Sequence, residues 1–263
     1  MSLSLTGSRS ELGRLLARSP SATASRNIHI NVSGQQANTL LHDGHAWKDF
    51  ARIALAGTRR AIRAARADGA PILVHASFAF VSAVARGTNL KDPLRSLVET
   101  ILECEELAHS GSVPACVVRL GYLYGPESAD LRAYRKAFDL GRPYWSGPPT
   151  ARQYHLHQFD AVAALLAAAR PRNAARTLYA TDGHAISFTK FMDAFAHRVG
   201  RQTPLHLPLF SKPLAKVIVC EEHMQQTALA MPPRAPSSSV PGWKPKFPDF
   251  RKGLDQVVDA WNR

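Results

Sequence analysis

The sequence predicts an α/β fold built on a doubly wound parallel sheet, and three observations carry that expectation. Ile72-Leu73-Val74 and Ala115-Cys116-Val117-Val118-Arg119-Leu120 are short apolar runs rich in β-branched residues, as strands covered on both faces require. Helical patterns flank them. One ends at Asp68-Gly69-Ala70-Pro71, where Gly suits a left-handed cap and Pro cannot continue the turn. The other runs from about Pro93 to Ser110 with Leu97, Ile101, Leu102 and Leu107 apolar. Strand, helix and strand of these lengths call for right-handed parallel crossovers. Ser77 follows the first strand at its carboxyl end, where loops of such sheets form the ligand crevice. A small residue there serves equally well as part of a turn, so spacing alone leaves both roles open.

The composition narrows the classes. The chain has 263 residues and 45% hydrophobic content, enough for one sizeable domain or two small ones. No run approaches the ~18–20 apolar residues of a membrane span, and MSLSLTGSRSELGRLL lacks the basic start and apolar centre of a secretory signal. Cys104, Cys116 and Cys220 lie far apart without paired ligand spacing, which suits buried thiols in a reducing cytoplasm rather than a metal or redox site. The formal charge is +13 and the pI about 10.2. The basic residues are spread along the chain, mostly as Arg on the solvent faces of Ala-rich helices such as AIRAARA. No zinc-finger spacing or aromatic-basic string accompanies them, so nucleic acid is not the expected partner.

Taken in order, LSLTGSRSELGRLLAR reads as strand, tight turn and helix start. Gly7, Ser10 and Gly13 have the spacing of a glycine turn that approaches a pyrophosphate, with Ser in the middle place. Glu11 adds a charge that suits the helix dipole and competes with a phosphate there. SPSATASRN is a loop, Ile28–Val32 a short strand, and Gly44–Ala67 a helix with Ala56, Ile62 and Ala65 inward. His42 and His45 beside Asp43 read as surface histidines. Beyond Leu120, DLRAYRKAFDLG is helical, and in Tyr154-His155-Leu156-His157 the two histidines share one face of a strand. Asp160 opens an Ala-rich helix as cap or first-turn acid. Thr177–Ala180 is a strand and Ser187–Val199 a helix capped by Ser187. Pro204–Pro213 is extended, a helix with mixed faces follows to about Ala230, and a last helix starts near Asp249.

Together LTGSRSELGRLLAR, IHINVSG, GTRRAIRAARADGAPILVHASFAFVS, ECEELA with CVVRLGYLYGP, YHLHQFDAVAALLAA and GWKPKFPDFRKGLDQVV resemble the extended short-chain dehydrogenase/reductase superfamily, its NAD-dependent epimerase/dehydratase group. The resemblance covers nearly the whole chain. It implies a Rossmann-like core over residues 1–150 and a small C-terminal α/β substrate lobe over 151–263, interleaved with the core. It also implies NAD(P) as cofactor, with Gly7, Ser10, Gly13, Gly125 and Pro126 on the cofactor side. Ser77 is the catalytic serine by the same resemblance.

The departures are as informative. In that family a Tyr, with a Lys four positions later, moves the substrate proton while hydride passes to the nicotinamide. Counting back from Glu105 places those two on Leu97 and Ile101, and the supporting Asn on Ala54. Between Arg18 and Ile28 there is room for a loop only, where the family carries two βα units that read the adenosine ribose. The sheet is therefore expected to be shortened by those two units, with its first strand at an exposed edge that invites a partner chain, a homodimer. Submicromolar binding of NADH or NADPH is not expected. Two functions follow. One is an epimerase/dehydratase-type enzyme acting on a nucleotide sugar or a small hydroxyl or carbonyl compound, with Tyr122, Tyr124, His155 or His157 as substitute proton donor. The other is a non-catalytic scaffold or binding subunit.

Overall fold

The computed structural model describes residues 3–19, 27–36, 49–86, 90–145, 147–202, 204–207, 224–225, 227–231 and 238–263. Five strands form the main sheet: β1 (Leu3–Thr6), β2 (Ile28–Asn31), β3 (Leu73–Phe78), β4 (Ala115–Leu120) and β8 (Arg176–Ala180). They pair in the order β1-β2-β3-β4-β8, every pair parallel, with β1 at one edge. Strand β3 reaches Phe78, so Ser77 lies within the strand and not after it.

Alternation along the strands sorts the side chains onto two faces. Val74, Ala76, Cys116 and Val118 pack with Leu12 and Leu16 of α1 (Glu11–Arg18) and with Leu165 of α5 (Gln158–Ala168). Leu73, Ala115 and Val117 pack on the other side with Ala61 and Ala65 of α2 (Phe50–Ala67) and Ala108 of α3 (Leu94–His109). The buried stripe of α2 is Ala54, Gly57, Thr58, Ala61 and Ala65. Ala56, expected inside, is exposed and Ile62 only half-buried. Residues this small carry little hydrophobic weight in a pattern, yet they let the helix sit close to the sheet. The helix ends as expected, with Gly69 left-handed at φ +61°.

The remaining elements form a second layer beyond β4. Strand β5 (Tyr122–Tyr124) pairs parallel with β7 (Gln153–His157), and β9 (Ala185–Ile186) pairs antiparallel with β7. A two-residue ladder joins β6 (Tyr144–Trp145) to β10 (His206–Leu207). Helices α4 (Ala129–Asp139), α6 (Phe188–Arg198) and α7 (Phe250–Trp261) enclose an aromatic core of Tyr124, Tyr134, Tyr144, Phe191 and Phe195. The latter half of the chain also returns α5 and β8 to the main sheet, so lobe and core are threaded through one another. Ser187 and Asp249 cap α6 and α7, accepting from Lys190 N and Arg251 N. The expected surface histidines His42 and His45, Cys220, the start of the Gly44–Ala67 helix, and most of the stretch from Pro208 to the mixed-face helix lie outside the described residues. No helix among the described residues is long and apolar enough to cross a membrane.

Asp160 does not cap α5. The His157 ring accepts from Phe159 N instead, at 3.2 Å. The buried Asp160 carboxylate accepts from Lys246 N at 2.7 Å and Phe247 N at 2.9 Å, pinning the C-terminal segment to the core. Asp160→Ala is therefore expected to destabilise the fold by roughly 2–4 kcal/mol, given the strength of hydrogen bonds to a charged acceptor. An unchanged urea midpoint would contradict this tie.

Candidate functional site

The carboxyl ends of β1, β2 and β3 carry two adjoining features. The first is the turn Thr6–Ser10 between β1 and α1. Gly7 is left-handed at φ +88°, and a Cβ there would lie 2.6 Å from Ser33 N. A Cβ on Gly13 would lie 2.2 Å from the Gly7 carbonyl oxygen, so α1 packs directly on the turn. The Ser10 hydroxyl is tucked inward: it donates to the Gly7 carbonyl at 2.8 Å and accepts from Gly13 N at 3.0 Å. It thus caps α1 where the family motif has glycine. Glu11 does not guard the turn. Its carboxylate accepts from Ala129 N at 2.9 Å and from Gln158 Nε2 at 3.0 Å, and burial raises its pKa in spite of these bonds.

Beside this turn opens a crevice of about 500 Å³ whose lining among the described residues includes Gly7, Arg9, Ser33, Arg52, Gly57 and Arg60, and no carboxylate. Gly57 lets α2 approach, since a Cβ there would lie 2.1 Å from Ser33 Oγ. Asn31 braces the floor. Its side chain accepts from Ser33 N at 3.1 Å and Ser33 Oγ at 2.7 Å, while Nδ2 donates to His75 Nδ1 at 2.9 Å. Burial lowers the His75 pKa to about 4, so the ring is neutral and able to accept.

The second feature surrounds Ser77. Register places Ser77, Arg119 and Tyr179 side by side across β3, β4 and β8, all on the α3 face. Ser77 Oγ donates to Glu105 of α3 at 2.5 Å. Arg119 donates to both Glu105 oxygens at 2.9 and 2.6 Å, and to the Tyr179 hydroxyl at 2.9 Å. Burial works against the guanidinium's charge, but Glu105 and Tyr179 raise its pKa overall. A cavity of about 10 Å³ adjoins Ser77, with room for about one water. Leu97 and Ile101, at the positions matched to the family's Tyr and Lys, are buried in a hydrophobic cluster with Ala54 and Phe80.

Sequence reasoning missed Tyr179 and the crevice arginines. Strand alternation from Ser77 through Arg119 was the signal for Tyr179. For the arginines it was the four-residue spacing of Arg52, Ala56 and Arg60.

Tyr122, Tyr124, His155 and His157 gather among themselves in the second lobe, and Tyr122 also packs against the cluster of Phe80, Leu97 and Ile101. The Tyr122 and His155 rings lie 5.6 Å apart and those of Tyr124 and His157 5.2 Å apart. The two histidines do share a face, since both also meet Tyr124. Burial pushes both phenols well up and lowers His155 to about 3 and His157 to about 4. Groups held neutral so firmly are poor proton shuttles near neutral pH. Gly125 and Pro126 are brought to the junction with α5 and α7, not to the crevice lining. A Cβ on Gly125 would lie 2.4 Å from Gln158, and the Pro126 carbonyl accepts from Trp261 Nε1 at 2.8 Å. Burial raises the Cys104 thiol to about 11 and the Cys116 thiol to about 12. No group of His, Cys, Asp and Glu among the described residues could hold a metal ion.

No family model matches the chain. A Streptomyces protein named 3-diazoavenalumate denitrifying reductase is 30% identical over 251 residues, covering 89% of this chain and 81% of that one. Solved structures agree on the fold. Human epimerase family protein SDR39U1 (isoform 2) with NADPH superposes at a TM-score of 0.75 with 14% identity, covering 98% of this chain and 99% of its own. UDP-glucose 4-epimerase of Thermotoga maritima with UDP-glucose gives 0.69 with 12% identity, covering 100% and 99%. MoeE5 in complex with UDP-glucose and NAD gives 0.67 with 16% identity, again covering 100% and 99%. The chain belongs to the family of the Streptomyces denitrifying reductase, and its fold is that of the extended short-chain dehydrogenase/reductases and NAD-dependent epimerases, solved with NADPH or NAD. The turn at Gly7, the inward Ser10 and a crevice whose described lining carries arginines fit the phosphates of a nicotinamide dinucleotide.

His155 makes a pH prediction. Its ring is fully buried and stacks on Phe191 at 4.2 Å. With its pKa lowered to about 3 from 6.5, the unfolded chain binds the extra proton first. Stability from this residue is therefore full above pH ~6.5 and lost as pH falls toward ~3, at no more than about 1.4 kcal/mol per pH unit. Urea unfolding at pH ~7 and ~5 is expected to show the wild type losing more stability than His155→Phe. An equal loss in both would contradict the assignment.

Proposed function

We propose that this chain is an NAD(P)H-dependent reductase that passes hydride to an acceptor requiring no proton from the protein, and that the acceptor is a diazo-bearing organic acid. The observation that carries the reading is the burial of Leu97 and Ile101 where the family's proton-moving pair is matched. Epimerisation or dehydrogenation at a hydroxyl needs a base for the hydroxyl proton. Reductive loss of dinitrogen does not. The hydride that a reduced nicotinamide supplies forms the new C–H bond with its own electron pair. The C–N pair departs in N₂, so charge balances when a diazonium cation is the reacting form. Kinship with the Streptomyces denitrifying reductase supports the same chemistry.

Ser77 suits such an acceptor. Its proton is committed to Glu105, so the hydroxyl offers lone pairs rather than a hydrogen-bond donor to its cavity. Lone pairs backed by a carboxylate favour a cationic diazo group over an anion or a carbonyl oxygen. The turn at Gly7 and the arginines of the crevice would hold the cofactor phosphates, while Asn31 and Ser33 fix the loop between the two features.

A second reading, a binding subunit without turnover, draws on the small cavity at Ser77, which would have to open to admit a nicotinamide ring. Product analysis separates the two. With NADPH deuterated at C4 and a diazo acid, one N₂ per NADPH oxidised is expected, with one deuterium on the carbon that lost nitrogen. Solvent hydrogen at that carbon would contradict the reductase reading. Bound NADPH without any oxidation would favour the binding subunit.

A further inference from the structure

We infer that the crevice beside the glycine turn selects NADP(H) over NAD(H), by reading the ribose 2′-phosphate with Arg9, Arg52 and Arg60 in place of an adenine-enclosing wall. The inference rests on the reductase reading above and names its cofactor. Only nine residues separate the end of α1 at Arg18 from the start of β2 at Ile28, fewer than one parallel crossover needs. The units that elsewhere present a carboxylate to the ribose hydroxyls therefore have no place in this chain. What stands at that edge of the sheet is the flank of α2. Arg52, Ala56 and Arg60 recur at four-residue spacing along it, with Ile53 and Gly57 beside them, and all five line the crevice. The result is a shallow floor of small and apolar groups framed by two guanidinium groups. Arg9 closes the opposite side from the turn itself.

The chemistry of this lining discriminates by charge. NAD(H) is recognised by an acceptor for its 2′-hydroxyl, and among the described residues the crevice lining contains no carboxylate. A 2′-phosphate brings close to two negative charges and three acceptor oxygens, which suit planar guanidinium donors. Arg52 is already steadied at the helix start by Asp49, at 3.0 Å, which also tempers its charge. Arg60 and Arg9 are exposed and reach the crevice from facing sides. Arg59, the neighbour of Arg60, is directed elsewhere, toward Glu103 at 4.0 Å.

The test is a titration of the purified full chain with NADPH and with NADH at low ionic strength, followed by nicotinamide fluorescence. NADPH is expected to bind at least about tenfold tighter, equivalent to about 1.4 kcal/mol. 2′,5′-ADP should displace it better than 5′-ADP does. Arg9→Ala and Arg60→Ala should each weaken NADPH several-fold while leaving NADH nearly unchanged, and Arg59→Ala should leave the NADPH/NADH ratio intact. Equal affinities for the two cofactors would overturn the inference and leave the reductase reading standing. So would a loss of both cofactors alike in the arginine variants, which would assign those side chains to the shared pyrophosphate. Failure of either cofactor to bind would overturn both.

Discussion

Glu105 and Arg119 meet across the boundary between α3 and β4, with the guanidinium reaching both carboxylate oxygens at 2.9 and 2.6 Å. The pair does more than join a helix to a strand. Its carboxylate takes the proton of Ser77, and its guanidinium positions Tyr179 on the next strand. Their side chains are 7% and 15% exposed, so removing one partner would strand the other's charge at a cost of ~3–5 kcal/mol. The direction of the Ser77 hydrogen bond, and with it the character of the site, depends on this pair. A serine facing an ionised carboxylate is an acceptor to whatever lies in front of it.

The two features of the site have been reshaped in complementary ways. At the turn, Ser10 fills the middle glycine's place without obstructing the crevice because its hydroxyl is spent inward, on the Gly7 carbonyl and Gly13 N. On the flank, α2 stands at the sheet edge with its arginines free of a covering βα unit. At Ser77, the positions matched to the proton-moving pair contribute to a hydrophobic cluster that holds α3 against α2. On the proposed function, the crevice would hold the cofactor phosphates while the centre at Ser77 delivers hydride to an electrophile that discards its own leaving group.

The layout of the sheet was legible because its strands are buried on both faces: β3 and β4 open with apolar runs, and β4 lies where its residues predicted. The short link between Arg18 and Ile28 likewise announced an edge position for β1. Side-chain partnerships were less legible, because they depend on distant elements. Asp160 does stand as the first-turn acid of its own helix, but its carboxylate is taken up by two backbone N–H groups nearly ninety residues later. Glu11 seemed to oppose a phosphate until Ala129 and Gln158 occupied it. The tyrosines and histidines near RLGYLYGP and YHLHQ drew attention as proton donors, yet the second lobe's aromatic core absorbs them. Arginines on helix faces read as a solvated surface. For Arg52 and Arg60 the fold adds a glycine turn opposite, which periodicity alone does not reveal.

In the proposed reaction no protein group carries a proton in the chemical step. The most direct measurement is the single-turnover rate of NADPH oxidation with a diazo acid, in H₂O and in D₂O, across about pH 5–9. A rate without a bell-shaped profile and with a solvent isotope effect near unity is the predicted result. A bell-shaped profile with an isotope effect of about two or more would contradict it, showing that an acid or base does take part.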